Sequence, residues 1–214
     1  IAGVALLYAF PLIAKTTENP TFYLQVVSVA AFSAILTISL NICMGYGGLL
    51  SLMHTGMQMM GGYALGILMV KKGWNGWLAL VMSAVVGSIF AILVILLSLR
   101  ATYLYFGMIT LAINLIAMEA MRQGGELTGG YNGLFGIMAP GIPDGIMSAN
   151  ALYTTIITIL ILMYVVQRNL ILSGFGRNTM ALRESSETAT ALGISPNMHR
   201  LKVFAVSGAI AGLS

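Results

Sequence analysis

Long apolar runs, interrupted by small clusters of charge or glycine, set the pattern of this chain. Residues 19–70 contain no Lys, Arg, Asp or Glu, 52 positions in all, whereas a helix needs only about 20 apolar residues to cross a bilayer core. The run therefore holds two passes. The break falls at 45–54, GYGGLLSLMH, where glycines disfavour a continuous helix and Ser51 and His54 supply the strong polar side chains. One span is predicted over 21–42 and another over 55–70. Lys71, Lys72 and Gly73 close the second, and Trp74 and Trp77 sit where an aromatic belt marks an interface. An uncharged run over 76–99 ends at Arg100, and Tyr103, Tyr105 and Phe106 open the next, which continues to Glu119 and Arg122. Those two charges are one helical turn apart, the spacing of an interfacial ion pair. Residues 123–150, rich in glycine and with two prolines, read as loop, and 151–167 spans again.

Beyond that comes the one long polar stretch, 173–202, and then an apolar run over 203–214 too short to cross alone. Residues 1–14 read as the remainder of a spanning helix, lacking a basic leader and a small-residue cleavage site. The expectation is an all-α, polytopic transmembrane bundle: one permease-like domain over 1–214, cut at both ends, with about seven spans of which the first and last are truncated.

Composition agrees with the pattern. Charged residues make up 7% and hydrophobic ones 58% of the chain, against roughly 25% charged in a soluble domain. Ten basic residues spread through apolar runs do not build a groove for phosphates, so nucleic acid is excluded as a partner and the lipid bilayer takes its place. The single cysteine, Cys43, leaves neither a disulfide framework nor a thiol cluster for a metal. No HExxH and no GxxxxGK[ST] phosphate loop occurs. The chain is expected to be no enzyme, and any ATP and magnesium must be bound by another subunit.

Charge does report topology. With 173–202 inside, parity puts Arg100 and 45–54 inside as well, and six basic residues (Arg100, Arg168, Arg177, Arg183, Arg200, Lys202) face four outside (Lys15, Lys71, Lys72, Arg122).

The polar stretch reads as two helices. Residues 178–192 are rich in helix formers and Gly193 supplies a C-terminal stop; Ser195-Pro196 is an N-cap with proline at the first position of the next helix. A helix of about 15 residues is about 22 Å long, long enough to transmit a push across the membrane face. A solvated amphipathic linker accounts for the same pattern.

Glu187-Thr188-Ala189-xxx-Gly193 resembles the EAA-xxx-G signature of ABC importer permeases, with Thr188 in place of the middle alanine. The wider run GRNTMALRESSETATALGI, followed by RLKVFAVSGAIAGL, is similar to branched-chain amino acid permeases of the LivM type. Three further stretches carry the likeness: GYGGLLSLMH at 45–54, with Leu49 where the family usually has glutamine and Met53 where it has glycine; YFGMITL at 105–111; and LTGGYNGLFGI at 127–137. The Glu or Gln that many members carry early in the span after Thr110 is absent, Leu115 standing in that region, and the acid, Glu119, comes about one turn later.

The resemblance implies a permease subunit of an ATP-driven importer for apolar, branched-chain amino acids, multi-pass in the plasma (cell inner) membrane. Its partners would be ABC ATPase subunits, a second permease subunit and a periplasmic or surface substrate-binding protein. Arg177, Arg183, Glu184, Glu187, Ala189 and Gly193 would lie in the coupling segment within 173–202. Gly45, Gly47, Gly48, Ser51 and His54 would line the translocation path, since irregular backbone is tolerated at membrane depth where protein or a water-filled cavity satisfies it. The alternative at 45–54 is an ordinary tight turn, with His54 a hydrogen-bonded packing residue. Thr128, Gly129, Gly130, Asn132 and Gly133 would form an external loop that either docks the binding protein or covers the pore mouth. Competing readings are a permease for urea or short amides, an ATP-independent secondary transporter, and a purely structural membrane subunit.

Overall fold

A computed structural model describes residues 8–11, 19–99, 101, 103–137 and 149–214, and among them every regular element is helical. Helix α1 (Pro20–Leu40) continues as a π-helical turn over Asn41–Tyr46. Then follow α2 (His54–Gly66), itself extended by a π turn over Ile67–Lys71, α3 (Gly76–Ser98) and α4 (Tyr103–Arg122). A short α5 (Gly125–Thr128) and a 3-10 turn (Gly130–Asn132) precede α6 (Ala149–Leu172), α7 (Gly174–Glu184), α8 (Ser186–Ala191) and α9 (Pro196–Gly212).

Four stretches are long and apolar enough to cross a membrane: Pro20–Tyr46, Gly76–Ser98, Leu104–Arg122 and Asn150–Leu172. The expected count of about seven is not reached among the described residues. The spans expected at 55–70 and 203–214 do form helices, α2 and α9, but these are short or partly polar. The reason is their position. Both pack against α3, and a helix enclosed by protein need not carry a full hydrocarbon-facing length. Most of 1–14, together with Lys15, Arg100 and Asp144, lies outside the described residues.

The helices bury small residues and turn large ones outward. Along α3 the buried face reads Ala79, Ser83, Gly87, Ala91, Val94, Ile95 and Ser98, while Val81, Ile89, Leu93 and Leu97 are exposed. In lipid, large apolar side chains gain nothing by leaving the surface, so close packing of small ones decides the interface. Helix α9 supplies the facing set: a Cβ on Gly208 would lie 2.6 Å from the Gly87 carbonyl oxygen, and one on Gly212 would lie 3.1 Å from Gly87 Cα. The other small-residue pair, Gly62 and Gly66, works differently. Gly62 faces open space where a side chain would begin, and Gly66 meets Leu134 and Ile137 of the loop rather than a helix.

Three apolar clusters fix the remaining geometry. Met53, Met57, Phe106 and Phe204 join α2, α4 and α9; Leu24, Ala31, Tyr153 and Ile157 join α1 to α6; Ile35, Ile42, Met163 and Val203 tie both to α9. Cys43 is fully buried in the first of these. Glu119 and Arg122 pair at 3.8 Å with both side chains about half exposed, and Gln123 also donates to Glu119 at 2.8 Å.

Candidate functional site

The chain between α1 and α2 is a broken helix. In the π turn the Gly47 amide reaches back to the Ile42 carbonyl at 3.1 Å and the Leu49 amide to Cys43 at 3.1 Å. Gly48 then adopts φ +65°, a left-handed conformation that ends helical propagation and is open to glycine at little cost. Residues 48–53 run without regular structure until His54 starts α2. Protein groups satisfy part of this backbone: the Leu52 amide donates to Thr110 Oγ1 of α4 at 3.1 Å, and Cys43 Sγ lies 3.8 Å from the Leu49 carbonyl oxygen. The segment is therefore more than a surface turn, because Ser51, Met53 and His54 are all buried.

His54 sits in a buried polar knot. Ser39 Oγ donates to the Ser207 carbonyl at 2.6 Å, and Ser207 Oγ donates to the Ser39 carbonyl at 3.0 Å. Ser207 Oγ also shares a 2.7 Å hydrogen bond with His54 Nε2, whose direction follows the imidazole tautomer. His54 Nδ1 and Ser51 Oγ are buried without a hydrogen-bond partner. Sequence reasoning singled out His54 and Ser51 but missed Ser39 and Ser207. Serines in apolar runs were the only signal, and it does not discriminate, since Ser28 and Ser98 bond carbonyls of their own helices.

The polar stretch differs from its expected form. A single helix over 178–192 is replaced by α7 and α8, divided at Ser185, which is extended at φ −153°, ψ 108°. Its hydroxyl accepts from the Thr188 amide at 3.2 Å and so caps α8; serine competes with helical backbone in this way. The strut is thus bent. Gly193 does end the helix, at φ +83°, with its amide on the Thr190 carbonyl at 2.9 Å and the Ile194 amide on Ala189 at 3.0 Å, the double bond of a Schellman stop. Gly193→Ala is expected to destabilise this end by about 1 kcal/mol through the left-handed φ, read as faster amide exchange confined to 189–194. Ser195 stands at the N-cap of α9 with proline following, but its side chain makes no capping bond.

The predicted coupling residues point in different directions. Glu184, Glu187 and Gly193 are exposed, while Ala189 is buried. Arg177 donates to the Leu172 carbonyl at 3.2 Å and so closes the end of α6. Arg183 is exposed as well but folds back onto the break: its guanidinium donates to the Gly45 carbonyl at the end of the π turn, and its stem lies against Gly48, where a Cβ would be 2.9 Å from Arg183 Cγ. A cation there meets the carbonyl end of a helix, which favours it. The structure thereby joins two motifs 138 positions apart, and places the polar loop and the break at the same end of the bundle.

At the other end, Lys71 donates to the Glu126 carbonyl. Thr128 is buried and bonds the Met121 carbonyl at 2.7 Å while accepting from the Gly130 amide at 3.3 Å. Gly129, Gly130 and Gly133 all have positive φ, and a side chain at Gly129 would run into the Gly133 carbonyl. Asn132, at the end of the 3-10 turn, is exposed. Leu134 and Ile137 fold back beside Met59, Gly62 and Tyr63 around an open apolar hollow.

A bundle with several membrane-capable helices, built round a broken helix tied to a polar loop, is an integral membrane protein of the permease class. The family model described as "Branched-chain amino acid transport system / permease component" matches residues 22–214, and the chain belongs to that family. Two similar proteins are the high-affinity branched-chain amino acid transport system permease proteins LivM of Salmonella typhimurium (strain LT2) and Escherichia coli (strain K12). Each is 26% identical over 204 residues, covering 84% of this chain and 48% of the relative. The chain thus spans about half the length of these curated relatives. No solved structure matches it significantly.

Proposed function

We propose that this chain is part of the permease subunit of an ATP-driven importer for branched-chain, apolar amino acids in the plasma (cell inner) membrane. The observation that carries the reading is the contact of Arg183 with the helix break at Gly45 and Gly48. It gives a push on α7 and α8 a direct route to buried, irregular backbone. Glu184, Glu187 and Gly193 present the exposed surface for ATPase subunits, which bind the ATP and magnesium. Residues 45–54 border the path, completed by a second permease subunit. The 127–137 loop, at the opposite end, receives cargo from a periplasmic or surface binding protein. Apolar cargo suits walls with few charges, since no side chain of the ligand demands an ion partner.

The test is uptake of radiolabelled leucine by vesicles carrying the complete transporter, with and without ATP, for the parent, Glu187→Arg and Gly193→Pro. ATP-dependent uptake is expected in the parent, and both variants should lose it together with ATPase attachment. ATPase attachment without leucine uptake would replace the cargo by urea or short amides. Uptake indifferent to ATP and to both substitutions would end the coupling reading.

A further inference from the structure

Between the break and the polar loop lies a cavity of about 110 Å³, walled by Gly48 and Leu49 on one side, Leu182 and Arg183 of α7 on another, and Arg200 and Val203 of α9. Its floor is fixed: His199 Nε2 and Thr179 Oγ1 are 2.8 Å apart, and Thr179 donates onward to the Phe175 carbonyl at 2.7 Å. Two arginines, Arg183 and Arg200, thus line one small space. Neither has a carboxylate within ion-pair distance among the described residues, where the one salt bridge is Glu119 with Arg122. Glu184 and Glu187, though near in sequence, are exposed and unpaired with them.

The chemistry of the walls selects a ligand. Guanidinium forks bind carboxylates through paired, charge-assisted hydrogen bonds, and Arg183 spends one donor group on Gly45 while keeping others. Leu49, Leu182 and Val203 offer a short hydrocarbon wall. A closed apolar cavity of about 150 Å³ holds benzene, so this one suits a compact ligand of a few carbons.

We propose that this cavity binds a small carboxylate with a short branched apolar tail: either an apolar α-amino acid or the 2-oxo acid of the same skeleton. The choice of ligand rests on the transport reading; the pairing of guanidinium groups with a carboxylate does not. The site lies on the polar-loop side of the break. Its walls belong to both the break and α7, so an occupant holds them at a fixed separation, and ligand accumulating on that side acts on the Arg183 link.

Calorimetric titration of the full-length protein in lipid nanodiscs, without partner subunits, tests this with valine, leucine, 4-methyl-2-oxopentanoate and isobutylamine. The carboxylates are expected to bind and isobutylamine is not. Arg200→Met, which removes the guanidinium, and Leu182→Trp, which fills the space, should each weaken binding at least about tenfold, the scale of a hydrogen bond to a charged group. Arg200→Lys should recover part of it, and Arg168→Met should change nothing. Preference for the amino acids identifies them as the source of the carboxylate; preference for the oxo acid identifies that one instead. Either supports the site. Absence of carboxylate binding, or binding equal in Arg200→Met and Leu182→Trp, overturns it. So does loss of ATPase attachment in Arg200→Met with carboxylate binding unchanged, which gives the guanidinium to an acidic side chain of the partner. Carboxylate binding that depends on Arg200, in a transporter without ATP-driven uptake, removes the transport reading and leaves the site. ATP-driven uptake without such binding does the reverse.

Discussion

Replacing Gly87 or Gly208 by valine is expected to destabilise the folded bundle more than any other single change considered. A Cβ at Gly208 would sit 2.6 Å from the Gly87 carbonyl oxygen, and one at Gly87 would be 2.9 Å from Gly212 Cα. These neighbours are backbone, so no rotamer change relieves the overlap and the helices must separate. Overpacking costs about 1–3 kcal/mol where side chains can adjust. Here the separation also forfeits the packing of Ala91, Ser83 and Gly212, so the loss falls at or above the upper end of that range. Helix association in lipid rests on such close approach. Gly62→Ala is the matched control. It has open space around the new methyl and should leave stability unchanged or raise it by about 0.4–1 kcal/mol. Thermal unfolding of purified variants in nanodiscs, followed by intrinsic fluorescence, separates the two outcomes. Equal melting of Gly208→Val and parent would show that α3 and α9 do not pack as described.

Ser207→Ala should produce the second-largest loss. The hydroxyl shares a hydrogen bond with His54 at 2.7 Å and lies 3.0 Å from the Ser39 carbonyl oxygen, so its removal takes a partner from two buried groups. An unsatisfied buried group costs about 1–3 kcal/mol in soluble proteins. Interhelical hydrogen bonds in membranes average about 0.6 kcal/mol, because the unfolded chain in lipid finds other partners. With two bonds lost at one atom, about 2 kcal/mol is expected. Ser28→Ala is the comparison: its hydroxyl bonds only the Leu24 carbonyl one turn back at 2.7 Å, and the change should stay within about 0.5 kcal/mol. Indistinguishable melting of Ser207→Ala and Ser28→Ala would dissolve the knot as a stabilising feature.

The knot also marks the limit of what could be read in advance. Residues 45–54 stood out because glycines and polar groups interrupt an apolar run, and a break is where the structure puts them. That His54 would meet Ser207, 153 positions away, was not legible, since neither residue carries a local signature of its partner. The bend at Ser185 was missed for a different reason. Helix propensity favoured one continuous helix over 178–192, but the Ser185 hydroxyl captured the Thr188 amide and outcompeted one turn of backbone bonding. Arg183 was legible as a residue of the polar loop. Its reach to Gly45 was not, because direction along a helix surface depends on what packs beneath it.

By itself the sequence determined the membrane class, the position of the long spans, the helix stop at Gly193 and the separation of a polar loop from an apolar body. Each follows from local quantities: transfer of apolar side chains into lipid, and backbone conformations open only to glycine. Only the tertiary structure decided which faces pack and which face lipid, because hydropathy reports that a helix enters lipid and not which of its sides meets another helix. It also decided that α2 and α9, short for spanning, are sheltered against α3, and that the loop and the break share one wall. Those outcomes depend on distances between residues far apart in the chain, set by how closely two backbones can approach.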